Sequence, residues 1–340
     1  MGLYSLLHTD PVVLCGPDWE VFDPSSAVWS VLDAISNRRA YLLVEPTWAL
    51  QGWSGDRQAN GIAALSERFE HLHVTISCPS ASEAGIARRR DLPVLHCSTA
   101  AFIHEDVFVP RPSGESSFAA IYDAQWIDYK RHDLAGGIGS LALIAHHPAI
   151  PTNGSVEYFR RAHAAVRHAT WILSPWTATG KRWLSYQEVN AAYNRARVGL
   201  CLSRIEGHMY ASMQYLLCGL PVVTTPNLGG RDEFFDPAYV RWVDADPDAV
   251  ADAVDELVAL ELDPQMIREA TLEKAERHRA RLQAWMQELI LAEGGAPGRW
   301  AGEAPRRLPN KLRESWSRSA DVVAEISAGS SRPASRWRRR

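Results

Sequence analysis

The sequence lacks any long apolar run. No stretch of its 340 residues approaches the roughly 18 apolar residues that a membrane-spanning helix needs. The first residues lack the basic-then-apolar order of a secretion signal. The five cysteines are widely spaced and form no C-x-x-C pair, the spacing typical of zinc sites and redox dithiols. We therefore expect a soluble protein in a reducing compartment, the cytoplasm.

Acidic residues outnumber basic ones outside the C-terminal segment. The formal net charge is -4, but residues 301–340 hold ten Lys/Arg against four Asp/Glu, which leaves the first 300 residues at -10. An acidic body is a poor partner for nucleic acid. Residues 294–340 are rich in Gly, Pro, Ser and Arg, and we predict a basic, disordered tail there. The tail is either a solvated segment or, with Trp316 and Trp337, a peripheral contact with an anionic membrane surface.

Short apolar runs alternate with amphipathic stretches along most of the chain, which predicts an α/β protein with parallel sheets. With 46% hydrophobic residues, the chain is long enough for two cores. Two prolines, Gly and Ser in residues 104–117 indicate a linker. The predicted domains are 1–112 and 113–293, followed by the tail.

Ten strands are predicted from the apolar runs. They are 12–14, 41–44, 74–77, 94–97, 118–122, 141–146, 170–173, 198–202, 221–225 and 240–243. Helices are expected between them, among them one that opens with the capping-box spacing of Ser185 and Glu188, and a long one from Pro264 to about Leu291.

The stretch from Ser203 to Gly230 is the most informative for function. A buried-looking strand ends at Ser203 and is followed by Glu206, Gly207 and a helix, which places this loop at the carboxyl edge of a sheet, where open α/β folds bind ligands. Glu206 can accept hydrogen bonds from sugar hydroxyls, and Gln214 lies about two helical turns further on. The glycines at 229 and 230, after the next strand, allow the backbone to approach a ligand closely.

These residues resemble the donor-binding half of retaining GT-B glycosyltransferases of the family 4 type, also called glycosyl transferases group 1. The resemblance rests on the Glu-Gly loop after a strand, a second site eight residues later, Cys-Gly-Leu-Pro-Val-Val and Gly-Gly. It spans about residues 104–262 and fades in the first hundred. It implies two Rossmann-like domains facing a cleft, with a short, divergent N-terminal domain on the acceptor side and the nucleotide-sugar donor domain after it.

The resemblance also implies roles for individual residues. Glu206 would lie near the transferred sugar and Gln214 at the nucleotide ribose. The segment YDAQWIDYKRHDLA is similar to a family loop whose lysine and arginine hold the diphosphate; Lys130 matches the lysine, while Gln125 stands at the arginine. Fixed cations there stabilise the charge of the leaving diphosphate, so no metal is expected. Lys130 and Glu206 are the predicted catalytic residues, and the predicted donor-binding residues are Gln125, Arg131, Ser203, Gly207, His208, Met209, Gln214, Gly229 and Gly230.

Three positions depart from the family pattern. Gln214 replaces a glutamate, Gln125 replaces an arginine for which Arg131 or Arg231 could substitute, and Met209 occupies a place where the family has a small residue. Glutamine can still bond a ribose diol, and the resemblance predicts that Gln214→Glu preserves or improves donor affinity.

The resulting hypothesis is a metal-independent hexosyltransferase-type enzyme that moves a sugar from a nucleotide-diphosphate sugar to a glycan or glycolipid acceptor with retention of configuration. Bacterial surface glycan and polysaccharide biosynthesis follow by analogy of fold alone. Two alternatives stay open: a catalytically silent GT-B subunit that binds a partner or glycan, and a sugar-nucleotide epimerase or hydrolase of the same architecture.

Overall fold

The structure is a computed structural model that describes residues 2–111, 117–145, 153–174, 183–298, 300, 308–313, 315–316 and 318–328. It divides into two compact units, one of Met1–Ile103 with Ala275–Arg340 and one of His104–Lys274. The first boundary falls at the start of the predicted linker, nine residues before the predicted domain boundary at 112. The second differs from the predicted boundary at 293, because the chain re-enters the first unit at Ala275, inside a long helix.

The first unit contains a five-stranded sheet of order β2-β3-β4-β5-β6, in which β2 is antiparallel to β3 and the remaining pairs are parallel. Strands β3 and β4 are buried at every position, which is why they appear as continuous apolar runs instead of alternating ones. The elements of this part are β1 Gly2–Leu3, β2 Ser5–Thr9, β3 Val12–Pro17, α1 Asp18–Val21, α2 Ala27–Ala34, β4 Ala40–Glu45, α3 Trp53–Arg68, β5 Leu72–Cys78, α4 Ala81–Arg88, β6 Val94–His96 and a 3₁₀ helix Thr99–Phe102.

The second unit contains the larger sheet, with six parallel strands. Its elements are β7 Phe118–Asp123, 3₁₀ helices Asp128–Lys130 and His132–Ala135, β8 Leu141–Ile144, α5 Asn153–Ala165, β9 Thr170–Leu173, α6 Tyr186–Tyr193, β10 Ala196–Cys201, β11 Ile205–Glu206, α7 Tyr210–Leu217, β12 Val222–Thr224, β13 Leu228–Gly229, β14 Val240–Trp242 and α8 Pro247–Ala259. The predicted capping box at the start of α6 is confirmed, since Ser185 and Glu188 each bond the other's backbone N–H.

The strand order of this sheet, β14-β12-β10-β7-β8-β9, determines where a ligand can bind. The chain places β7, β8 and β9 from the centre to one edge, returns to the centre with β10, and continues to the other edge. The loops that leave β7 and β10 therefore diverge in opposite directions and open a crevice at the carboxyl ends of these two strands. Lys130 lies on the loop after β7 and Glu206 on the loop after β10.

A helix of 29 residues, α9 Pro264–Ala292, carries the chain from the second unit into the first. Charged residues recur throughout it, as in REATLEKAERHRAR. Among the described residues, no helix combines the length and the apolar character that crossing a membrane requires.

The prediction of a disordered tail from residue 294 is wrong for part of this segment. A 3₁₀ helix Asn310–Leu312, strand β15 Ser315–Trp316 and helix α10 Ser319–Ala328 are formed, and β15 pairs with β1. Val322 and Ile326, four residues apart on one face of α10, are buried in the core of the first unit. Burial of these two side chains stabilises the helix, although the average composition of residues 294–340 predicts disorder. The last residues, 329–340, which include the basic run, lie outside the described residues.

Ile326→Ala is expected to lower the free energy of unfolding by about 2–4 kcal/mol, because it removes a fully buried side chain and leaves a cavity. Urea denaturation measures the loss. The control Ser327→Ala changes an exposed neighbour on the same helix and should stay within about 0.5 kcal/mol of the parent. Equal stability of the two variants would show that α10 adds nothing to the core.

All five cysteines are free and buried. Burial raises the pKa of the Cys78 and Cys97 thiols to about 12, so they remain protonated near neutral pH. Protonated thiols are poor nucleophiles, and none of the five is a candidate for covalent chemistry.

Candidate functional site

The loop after β7 holds Lys130 at the end of a short 3₁₀ helix, Asp128–Lys130. Two hydrogen bonds fix the backbone of this loop. The Tyr122 hydroxyl donates to the Lys130 carbonyl at 2.5 Å, and the Arg204 N–H donates to the Tyr129 carbonyl at 2.8 Å. Burial raises the pKa of Tyr122, which keeps its hydroxyl protonated as a donor. The loops that follow β7 and β10 are thereby joined directly.

Glu206 is positioned by a second set of bonds. The Ser203 hydroxyl donates to Glu206 Oε1 at 2.5 Å. Strand β11, which contains Glu206, pairs in parallel with β13, and the register sets Glu206 opposite Gly229. Gly229 has a φ of 110°, a conformation that glycine adopts without steric cost. The loop after β12 therefore lies directly beside Glu206.

Lys130 and Glu206 form an ion pair between Nζ and Oε1, with the two side chains only 12% and 10% exposed. The Lys130 Nζ also lies 5.2 Å from the centroid of the Tyr129 ring. Both donors to Glu206, Ser203 and Lys130, use Oε1; within the described parts of the chain Oε2 has no hydrogen-bonding partner. The pair thus offers a fixed cation and a free carboxylate oxygen side by side, suited to a ligand that carries both phosphate and hydroxyl groups.

Two arginines connect the loops of the site. Arg131 has a left-handed backbone conformation, with φ 52° and ψ 50°, and its guanidinium donates to the Leu202 carbonyl at 2.6 Å and to Thr225 Oγ1 at 2.7 Å. Arg231 is 1% exposed and donates to the Ser203 carbonyl at 2.7 Å and to the Thr225 carbonyl at 2.6 Å. Burial lowers the pKa of Arg131. Arg231 is inaccessible and holds the loops in place, whereas Arg131 is half-buried and reaches the edge of the crevice.

The helix after the Glu-Gly loop starts at the site. Met209 is the N-cap residue of α7, and its carbonyl accepts a bond from the Ser212 hydroxyl at 2.7 Å. Its sulfur lies 4.0 Å from the Ser203 hydroxyl, so the bulky side chain fills space behind the ion pair. His208 is half-buried in the same loop, and Gly207 is buried.

Gln214 belongs to a different group of residues. It is 5% exposed, and its Oε1 lies 3.3 Å from the hydroxyl of Tyr193. The same hydroxyl donates to Asp123 Oδ2 at 2.6 Å, and the Asp123 N–H donates to the Tyr215 hydroxyl at 2.6 Å. This network lies at the end of β7, next to the loop of Lys130.

The structure brings several predicted residues together and separates others. Lys130, Ser203, Glu206 and Met209 form one group through direct contacts. Gly229 and Gly230 adjoin it through the pairing of β13, and Arg131 turns from Lys130 toward the neighbouring loop. Gln125 is half-buried five residues before Lys130, and Gln214 lies in the tyrosine network.

Sequence reasoning missed three residues of this edge. Asp123 and Tyr193 carry the network around Gln214, and Asn227 has a side-chain amide whose nitrogen and oxygen are both buried without a partner among the described residues. An acidic residue at the end of a predicted strand was the one available signal, and it pointed to Asp123.

Comparison with known proteins identifies a family match and similar folds. Residues 154–290 match the family model described as glycosyl transferase-like, about two fifths of the chain. A search of curated protein sequences gives no significant match. Among solved structures, Anabaena HepE in complex with UDP is similar with a TM-score of 0.55 and 12% identity, over 78% of this chain and 77% of that one. The pneumococcal O-GlcNAc transferase GtfA in complex with UDP and GlcNAc has a TM-score of 0.51 and 12% identity, over 79% and 55% of the two chains. The fold is GT-B-like and Rossmann-type, as predicted.

Proposed function

We propose that this protein is a glycosyltransferase that uses a nucleotide-diphosphate sugar as donor. The observation that carries the proposal is the contact of Lys130 with Glu206 at the point where the strand order reverses. The match of residues 154–290 to a glycosyl transferase-like family supports it. The two similar structures contain UDP, which supports a nucleotide as the ligand.

Each residue of the pair has a defined task in this proposal. The Lys130 ammonium binds the diphosphate and stabilises the negative charge that develops as the bond to the sugar breaks. Glu206, through Oε2, accepts hydrogen bonds from hydroxyls of the transferred sugar. Arg131 supplies the second cation in place of the arginine that Gln125 replaces, and no metal ion is needed for the charge.

The stereochemistry, the acceptor and the site of action are also part of the proposal. Transfer with retention would follow a front-face route, in which the leaving phosphate takes the acceptor's proton and no protein nucleophile is needed. The acceptor would be a glycan or glycolipid of bacterial surface assembly, and the site of action the cytoplasm or the inner face of its membrane. The predicted lipid contact of the basic tail falls on residues outside the described ones.

A panel of UDP-, GDP- and other activated sugars is expected to contain a ligand that raises the melting temperature, because a ligand that binds only the folded protein stabilises it by about 2.7 kcal/mol at a hundredfold excess over Kd. The rise should be smaller in Lys130→Ala, because the ammonium also contacts the diphosphate before the bond breaks, and should be kept in Arg241→Ala, a cation on β14 that pairs with Glu256. Differential scanning fluorimetry measures it.

A product assay with and without acceptor then separates the alternatives. Transfer only in the presence of acceptor supports the proposal. Donor consumption without acceptor indicates an epimerase or hydrolase, and binding without turnover indicates a silent subunit. If no activated sugar or nucleoside diphosphate raises the melting temperature, the donor site itself is wrongly assigned.

A further inference from the structure

A carboxylate ends the central strand of the second sheet. Asp123 is the last residue of β7 and is half-buried at the crevice between the loops of β7 and β10. Its N–H donates to Tyr215 Oη at 2.6 Å, and its Oδ2 accepts from Tyr193 Oη at 2.6 Å. Both tyrosines are fully buried; Tyr193 fixes the carboxylate and Tyr215 fixes the backbone of Asp123.

The tyrosines have little freedom to move. The Tyr215 ring lies where a side chain at Gly199 would be, since a Cβ built there would stand 2.6 Å from the ring. The rings of Tyr193 and Tyr215 pack with centroids 4.7 Å apart. Burial, and then the charge of Asp123, raises the pKa of both tyrosines. Their hydroxyls therefore stay protonated.

Gln214 shares the Tyr193 hydroxyl with Asp123, at 3.3 Å against 2.6 Å. A tyrosine hydroxyl has one proton, and the shorter bond to the carboxylate takes it. Gln214 can complete the network only as a donor, and a half-turn of its amide brings the NH₂ group to the hydroxyl oxygen. An ionised glutamate has no proton to donate, so an amide is the side chain that fits beside Asp123.

We propose that Asp123 supplies the carboxylate that accepts hydrogen bonds from the ribose hydroxyls of the donor nucleotide, and that position 214 is an amide because it shares Tyr193 with that carboxylate. The assignment rests on the proposed nucleotide-sugar site. A vicinal diol presents two donors, and a carboxylate at the carboxyl edge of a strand beside the switch point is suited to accept them. The family pattern has its carboxylate on the helix that corresponds to α7, whereas this protein has it on strand β7. The network predicts that Gln214→Glu weakens the site, contrary to the expectation from family resemblance.

Ribose recognition is tested by comparing two ligands on each variant. The ligands are the nucleoside diphosphate with the strongest effect in the panel and its 2′,3′-dideoxy form, and calorimetry measures their Kd values. The wild type should prefer the ribose form by about 10- to 100-fold, the range for hydrogen bonds to a charged group. Asp123→Asn should lose most of this preference while binding the dideoxy form as the wild type does. Asp244→Asn, an exposed carboxylate after β14, should keep the preference.

The coupling of Gln214 to Asp123 through Tyr193 is tested without ligand. Gln214→Glu should unfold at lower urea concentration than the wild type, and the double variant Asp123→Asn/Gln214→Glu should recover most of the loss, because it again pairs one carboxylate with one amide. Double-mutant analysis isolates this coupling. The double variant should also regain part of the ribose preference that Asp123→Asn loses.

The outcomes separate this inference from the proposed function. An unchanged ribose preference in Asp123→Asn, with the wild type binding the nucleotide, overturns the ribose assignment and leaves the donor site intact. Additive effects of the two substitutions on stability overturn the coupling. A wild type that binds no nucleotide of the panel overturns both the donor site and the ribose assignment.

Discussion

Replacing Lys130 by alanine is expected to reduce turnover by about 10²- to 10³-fold, the loss that follows removal of one fixed donor to a developing charge. The ammonium group is held against Glu206 at the β7–β10 crevice, with 12% of the lysine side chain exposed. Because the charge of the diphosphate increases as the glycosidic bond breaks, the effect should fall mainly on kcat and less on KM. Initial rates over a range of donor concentrations measure both.

The same substitution also tests the fold, and the two effects must be distinguished. Removing Lys130 leaves the Glu206 carboxylate with the Ser203 hydroxyl as its donor, so a loss of about 1–3 kcal/mol of stability is expected. Lys130→Arg keeps the charge and should recover part of the rate. Arg241→Ala, which removes a cation from β14, should leave the rate unchanged. A Lys130→Ala enzyme that works within about threefold of the wild type would show that the lysine does not bind the leaving group.

The strands could be predicted from sequence because both faces of each parallel sheet are covered. Burial on both sides requires apolar residues in succession, and the fully buried strand Leu141–Ile144 begins where the predicted run 141–146 begins. The antiparallel β2 was missed, since SLLHT reads as a short ambiguous run. Helix α10 was missed because its short apolar pattern, SADVVAEISA, stands inside a longer segment whose Gly, Pro, Ser and Arg content predicts disorder.

The meeting of Lys130 with Glu206, 76 residues apart, could be predicted only because the family resemblance assigned both residues to one ligand. Apolar periodicity gives the strands but not their order, and it is the adjacency of β7 and β10 that brings the two loops together. Once the order is known, the carboxyl edge becomes the expected position of the site.

The network of Asp123, Tyr193 and Gln214 shows what the sequence could not provide. Tyr193 lies on α6 and Gln214 on α7, so nothing in their spacing links them to the end of β7. Their relation depends on distances of 2.6 and 3.3 Å to one hydroxyl. The glutamine at position 214, where the family pattern has a glutamate, therefore has a physical cause in Asp123, a residue outside that pattern.

Replacing Arg231 by methionine is expected to have the largest effect on stability, a loss of about 3–5 kcal/mol, the cost of breaking a buried charged network. The guanidinium is 1% exposed and donates to the carbonyls of Ser203 and Thr225, and methionine leaves both acceptors buried without that donor. Urea denaturation measures the loss. Arg204→Met makes the same change on the loop after β10, beside the Ser203 carbonyl that Arg231 binds. The Arg204 side chain is 63% exposed, so this control should cost at most about 1 kcal/mol. Equal stability of the two variants would contradict the role of Arg231 in anchoring the loop. Since the Ser203 carbonyl is one of its acceptors, Arg231→Met should also weaken donor binding through the displaced Glu206, without Arg231 itself touching the ligand.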